Sequence, residues 1–419
     1  MAGSQSDPLN EFSNVKTRFL SLIGLALCGG LWGGCVGPHG EVRGVAVTGL
    51  QIIDIHMCDV RHGWAEANGS VGYRVLRTMD GGEDWKDVTP RWGTNVASPD
   101  PISCQFANVR TAWLTLRQRG AYNLLLTTNG GDSWITMTTP FGYFTEASNV
   151  RFYGSRFGMA DIEDGGLGSS YHTFFETQDG GWTWQPAGLI PPGPARDGDS
   201  KILRLSNIFG DRLGYYPPDR FLIAYGDSGD EKPKGYVALR ISADGGRSWR
   251  ELRLPLPAEW RDECVAPDKP SFFGQRVEIL PVELFRDGDI SRTNDGLLFY
   301  VTRDGGESWM VRPAVPGSQY GWGYGDLAVI SARDMIVRRG GNFSVTHDGA
   351  RTWETIQPNV DLGEENAKRD LERMDFVDAK HGWMIISDNS KDSWYGNFLR
   401  YRTVDGGKTW KEEELRIEP

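Results

Sequence analysis

The sequence predicts an all-β chain, a single seven-bladed β-propeller built of four-stranded antiparallel blades. Three observations lead there. An octapeptide of the form Thr/Ser-x-Asp-Gly-Gly-x-Ser/Thr-Trp recurs seven times, its tryptophans stand 44 to 65 residues apart, and a second hairpin pattern precedes it in five of the periods. A period of about 40 to 50 residues made of short strands and turns has the size of one propeller blade.

The octapeptides occupy 78–85 (TMDGGEDW), 127–134 (TTNGGDSW), 177–184 (TQDGGWTW), 242–249 (SADGGRSW), 302–309 (TRDGGESW), 346–353 (THDGARTW) and 403–410 (TVDGGKTW). Asp-Gly-Gly between two apolar runs signals a hairpin. The glycines accept the positive φ of a tight turn, and the carboxylate accepts hydrogen bonds from nearby amides. The tryptophan opens the outgoing strand and can pack back over the turn, while the hydroxyls bond locally. Asp80, Asn129, Asp179, Asp244, Asp304, Asp348 and Asp405, with Trp85, Trp134, Trp184, Trp249, Trp309, Trp353 and Trp410, are therefore expected to be structural. Asp84, Asn129 and Ala350 depart from the pattern, so their turns are expected to be looser.

The preceding element is clearest at 57–67 (MCDVRHGWAEA) and 376–386 (FVDAKHGWMII), with weaker copies at 106–116, 152–162 and 208–218. Each reads as strand, polar turn, strand. Two hairpins per period make the four strands of a blade.

The octapeptide resembles the Asp-box, or bacterial neuraminidase repeat. Together with the Gly-Trp hairpin, and over roughly residues 50 to 416, it resembles the photosystem II stability and assembly factor family and its relatives in bacteria without photosystems. The resemblance implies a seven-bladed propeller that serves as an assembly scaffold and not as an enzyme. It rests on scaffold residues, so it specifies the repeat better than the role.

Residues 1–40 stand apart from the propeller at 41–419. Lys16 and Arg18 precede the apolar run 19–27 and then CGGLWGGC, the order of a secretory signal followed by a linker. The run is too short to span a bilayer. Cys35, after Gly33 and Gly34, resembles the acylated cysteine of a bacterial lipoprotein, although Trp32 stands where an aliphatic residue is usual. The expectation is an exported protein, periplasmic or held at a membrane by lipid.

Beyond the leader, Cys58, Cys104 and Cys264 are odd in number and widely spaced, which fits neither a disulfide framework nor a metal site. One bridge with a leftover thiol and three free thiols both stay open. The six histidines form no ligand motif, and no cofactor or metal is expected. A net charge of −11 argues against a nucleic-acid surface.

If the strands of a blade run outward as A, B, C and D, the octapeptides are C–D turns and the Gly-Trp elements are A–B turns. Both then share one face, and every long insertion falls on the other. The D–A candidates are 186–201, 255–275, 312–325 and 357–370; the B–C candidates are 161–171, 226–235 and 387–397. Long loops on a rigid scaffold are where binding usually resides. Tyr320, Trp322, Tyr324, Trp394, Tyr395 and Trp260 are the candidate contact residues, as loop aromatics commonly anchor interfaces. The many acidic residues in these loops suit a basic protein partner in the cell envelope.

The rival reading is a carbohydrate-binding or sialidase-like propeller. It needs an arginine cluster, a Tyr/Glu pair and an acidic proton donor. No phosphate loop, nucleophile elbow or metal-binding histidine pair occurs.

Overall fold

The computed structural model describes residues 45–46, 49–69, 72–91, 100–118, 121–140, 149–166, 169–187, 195–196, 213–217, 219–226, 235–245, 247–285, 296–316, 326–362, 369–388 and 397–418. The chain divides into the units Met1–Val42 and Arg43–Pro419, and all the blades belong to the second.

Seven antiparallel sheets form a seven-bladed propeller, each from consecutive strands. Blade 1 is Leu50–Met57, Gly63–Gly69, Arg74–Thr78 and Lys86–Asp87. Blade 2 is Asp100–Phe106, Ala112–Gln118, Ala121–Thr127 and Ile135–Thr136, and blade 3 is Asn149–Tyr153, Phe157–Gly166, Ser169–Thr177 and Gln185–Pro186. Blade 4 is Leu213–Tyr216, Arg220–Tyr225, Tyr236–Ser242 and Arg250–Pro255. Blade 5 has a split first strand, Cys264–Pro267 with Ser271–Phe273, then Val277–Phe285, Gly296–Thr302 and Met310–Val311. Blade 6 is Leu327–Val329, Met335–Arg339, Asn342–Thr346 and Glu354–Ile356; blade 7 is Arg369–Phe376, Gly382–Asp388, Phe398–Thr403 and Lys411–Glu412.

The core is seven apolar seams, one between each pair of neighbouring blades. Adjacent residues of a strand serve different seams, because side chains alternate between the faces of a sheet. Leu76 packs with Trp383 and Ile385 of blade 7, whereas Val75 packs with Leu114 and Leu116 of blade 2. The B and C strands are thus buried on both faces, which explains runs such as GLLFYVT in blade 5.

The octapeptides share one pattern of local bonds, complete in blade 7 and modified in blades 1 and 2. In blade 7, Thr403 Oγ1 donates to Asp405 Oδ1 (2.9 Å) and accepts from Gly407 N (3.0 Å), while Asp405 accepts from Thr409 N (2.9 Å) and Thr409 Oγ1 (2.6 Å). Asn129 substitutes by accepting from Ser133 N (3.0 Å) and donating Nδ2 to Ser133 Oγ (2.9 Å). Asp84 has no hydroxyl for Asp80 to bind, though its amide still donates at 3.1 Å. Ala350 takes φ +62°, the one positive φ outside glycine among the described residues.

One further bond ties each octapeptide to the A–B turn of its own blade. The amide of Gly81, Gly130, Gly180, Gly245, Gly305, Gly349 or Gly406 donates to the carbonyl of Arg61, Arg110, Arg156, Asp219, Arg276, Arg333 or Lys380, at 2.7 to 3.0 Å. Both kinds of turn therefore share one face. His62 and His381 belong to this face, each with Nδ1 on the carboxylate of the aspartate three residues earlier, Asp59 (2.8 Å) and Asp378 (2.9 Å).

The B-strand tryptophans bridge seams. Trp64 Nε1 donates to Asn108 O, Trp113 Nε1 to Gly180 O and Trp383 Nε1 to Gly81 O, all at 2.9 Å. The last bond crosses from blade 7 to blade 1, so the closing seam uses the same device as seams inside the chain. It also carries a clasp. Val45–Ala46 pairs with Arg416–Ile417, while Trp85 N donates to Arg416 O (2.9 Å) and Glu418 N to Trp85 O (2.8 Å).

Several sequence-based placements are corrected. Residues 208–218 are not an A–B hairpin turning at Gly214. Leu213–Tyr216 is strand A of blade 4 and the turn follows Pro217, because the apolar run in Arg220–Tyr225 claims the place beside strand C. Much of 255–275 is strand, with Pro267 and Pro270 flanking the break in a ladder they cannot fully donate to. Its connecting part shrinks to 256–263. The 161–171 segment stays paired out to Gly166 and Ser169, a hairpin extension that Gly and Ser disguise as a loop. Ala195–Arg196 and Val315–Pro316 add short strands within two other expected loops.

Candidate functional site

Strand direction places the start of A, the start of C and the end of D on the face that bears the long connections. At that end of the closing seam lies a cleft of about 280 Å³. Its apolar wall is Leu50 and Ile52 of blade 1 with Phe398 of blade 7 and Leu415 of the C-terminal segment, while the Leu399 side chain turns to the blade 6/7 seam. Gln51 joins the two blades, its Oε1 accepting from Phe398 N at 2.9 Å.

The other wall is Glu412, Glu413 and Glu414, with Arg400 among them. Arg400 is buried, its guanidinium 5.6 Å from the Trp85 ring and its Nη2 donating to Glu414 O at 2.8 Å. Burial lowers its pKa. Glu413 Oε2 lies 3.7 Å from Arg400 Nε, and burial raises the Glu413 carboxyl against the pull of Arg400 and Arg402. Glu412 and Glu414 are at the solvent-facing side, Glu412 exposed and Glu414 with its side chain largely open to water.

A second polar grouping sits at the inner edge of blades 7, 1 and 2. Arg373 Nε lies 3.1 Å from Asp54 Oδ1, both more than a third exposed. β-Bulges interrupt strand A beside them, between Ile52 and Asp54 and between Leu371 and Arg373. Such bulges re-aim side chains. Asp375 accepts from Met57 N at 2.5 Å, and burial raises its carboxyl while His56 opposes the rise. Glu66, opposite Asp54 in the ladder, is pushed up to about 7 by burial, with Tyr73 Oη donating to it at 2.6 Å.

Tyr73–Glu66 is a Tyr/Glu pair of the kind the sialidase reading requires, with Arg373 as a guanidinium whose field reaches it. Burial raises the Tyr73 phenol, which works against a phenolate nucleophile. Cys58 is pushed up to about 11 by burial and neighbouring Asp59 and Asp375; burial likewise raises Cys104. Neither thiol is primed for attack at neutral pH. Cys58, Cys104 and Cys264 form no disulfide. Among the described residues no group of His, Cys, Asp and Glu is arranged to hold a metal.

Of the predicted contact residues, Trp260 lies in the short 3₁₀ turn Ala258–Trp260, half-buried against the blade 4/5 seam. Tyr320, Trp322, Tyr324, Trp394, Tyr395 and Cys35 fall outside the described residues. Trp394 and Tyr395 closely precede Asn397 and the cleft residue Phe398 in sequence. Sequence reading did not find the cleft, because its walls come from scaffold strands at opposite ends of the propeller sequence. The one available signal was the Glu-Glu-Glu run after the last octapeptide.

No family model and no curated protein matches this chain. Solved structures with a similar trace include "YCF48 bound to D1 peptide", at 16% identity and a TM-score of 0.46, covering 88% of this chain and 99% of that one. A polysaccharide lyase of family PL25, an ulvan lyase, aligns at 10% identity and a TM-score of 0.47, over 89% and 97% of the two chains. The uncharacterized protein lmo1340 from Listeria monocytogenes EGD-e aligns at 9% identity and 0.48, over 90% and 98%. The likeness is one of fold alone.

Proposed function

We propose that this chain is a non-enzymatic scaffold of the bacterial cell envelope that binds a protein partner through its loop-bearing face. Assembly, stabilisation and inhibition are the roles such binding serves. The observation that supports it is the division of labour between the faces. The octapeptide face spends its amides, carboxylates and hydroxyls on bonds within the blades. The opposite face bears the long connections and the seam cleft, which leaves it the groups to meet a partner. The residue order of 1–40 supports export, with Cys35 as the proposed site of lipid attachment.

Affinity purification after in-cell cross-linking tests the reading. Trp322→Ala and Trp394→Ala are expected to lose a partner that wild type and Val404→Ala, altered on the octapeptide face, both retain. Equal recovery by all four proteins would show the loop face is not the working face.

The carbohydrate-active reading draws support from one observation, the Tyr73–Glu66 hydrogen bond. Incubation with 4-methylumbelliferyl glycosides, sialosides included, tests it. Turnover abolished by Tyr73→Phe would favour hydrolysis over scaffolding.

A further inference from the structure

Resting on the reading of the loop-bearing face as the working face, we propose that the cleft between blades 7 and 1 docks an extended peptide segment of the partner. That segment carries Lys or Arg beside a large apolar side chain. Shape and charge both lead there. At about 280 Å³ the cleft lies at the lower bound of small-molecule pockets, room for one or two side chains and not for a bulky cofactor. Leu50, Ile52, Phe398 and Leu415 offer an apolar wall to a large apolar side chain.

The charge offered to a ligand is negative. Arg400 is the cation of the lining, and its guanidinium is committed to Trp85, the Glu414 carbonyl and Glu413. Glu413 is answered by that same guanidinium and by Arg402, 3.9 Å from its Oε1. Glu414 remains at the exposed rim. Its partner is distant, Arg416 Nη2 at 3.9 Å, so an incoming ammonium or guanidinium displaces little, whereas Glu412 shares the opposite face of blade 7 with Tyr401. Opposite charge at an exposed rim selects and steers a partner more than it adds affinity.

The test uses the full propeller and three fluorescein-labelled nonapeptides, alike except for a central Leu-Arg-Leu, Leu-Gln-Leu or Leu-Glu-Leu. Fluorescence anisotropy is expected to rank them Arg, Gln, Glu, with roughly tenfold between the extremes at low salt and less at 0.5 M NaCl. Glu414→Gln is expected to weaken the Arg peptide to the level of the Gln peptide and leave the latter unchanged. Glu414→Lys is expected to favour the Glu peptide, a reversal that misfolding cannot produce. Equal binding of the three peptides, binding of none, or a ranking untouched by these variants overturns the proposal. If Glu414→Gln still captures the cellular partner while Trp394→Ala does not, the cleft proposal falls and the wider reading stands. If neither change affects capture, both fall.

Discussion

Glu278 lies directly opposite Thr302, the hydroxyl-bearing first residue of the fifth octapeptide. The corresponding register position in the other blades holds Gly63, Ala112, Gly158, Phe221, Met335 or Gly382. Glu278 is fully buried and ion-paired with Arg220 of blade 4, whose Nη2 also donates to Gly305 O. One seam of the seven thus carries a buried carboxyl at a position where the others are small or apolar.

Burial pushes Glu278 up to about 7 against the pull of Arg220, with Asp304 adding to the rise. Its folded pKa exceeds the unfolded value of about 4.3. The folded state therefore binds the extra proton between those values, and this group's contribution to stability falls as pH rises through that window. Glu66 acts with the same sign. Tm measured from pH 5 to pH 8 is expected to fall less steeply for Glu278→Gln than for wild type. Parallel profiles would remove Glu278 from the account.

Ala350 holds a left-handed conformation that costs an L-residue about 1–2 kcal/mol. Its buried methyl returns roughly 0.8 kcal/mol. Ala350→Gly is expected to stabilise the protein by up to about 1 kcal/mol in urea unfolding. The reverse change at Gly131, φ +84° with a would-be Cβ 2.6 Å from Val88 Cβ, is expected to cost about 2–4 kcal/mol.

Deleting residues 415–419 removes the carbonyl of Arg416 and the amide of Glu418 that bracket Trp85. Amide exchange is expected to quicken in blades 7 and 1 and stay unchanged in blade 4. Uniform quickening would mean that the clasp stabilises the ring as a whole and not one seam.

Rim ion pairs join neighbouring blades outside the seams, Lys86 to Asp132 at 2.9 Å and Arg250 to Glu307 at 3.1 Å. Exposed pairs contribute only about 0.2–1 kcal/mol. Lys86→Asp is expected to lower Tm slightly at low salt, Lys86→Asp with Asp132→Lys to restore it, and 1 M NaCl to erase the difference.

The blades were legible in the sequence because the Thr/Ser, Asp and hydroxyl bonds that shape each octapeptide turn close within eight residues, so local chemistry suffices to define it. The His62 and His381 turns were legible for the same reason. Blade 4 misled because its A strand lacks the Gly-Trp signal and Tyr215-Tyr216 reads as well in strand B as in strand A. The 255–275 segment misled because prolines at a strand break look like a loop. The cleft was hidden for a different reason: Ile52 and Phe398 meet only when the ring closes, and no local pattern records that meeting. Glu66 and Asp54 likewise looked like ordinary strand residues until the ladder set them opposite each other beside Arg373.

Val75 and Leu76, neighbours in one strand, serve different seams, and the same holds around the ring. Each blade is accordingly half of two cores and the whole of none. A blade cut from the ring would present two bare apolar faces to water, so no single blade is a folding unit by itself. Damage to one joint must then be borne by the remaining six, whichever face a partner occupies.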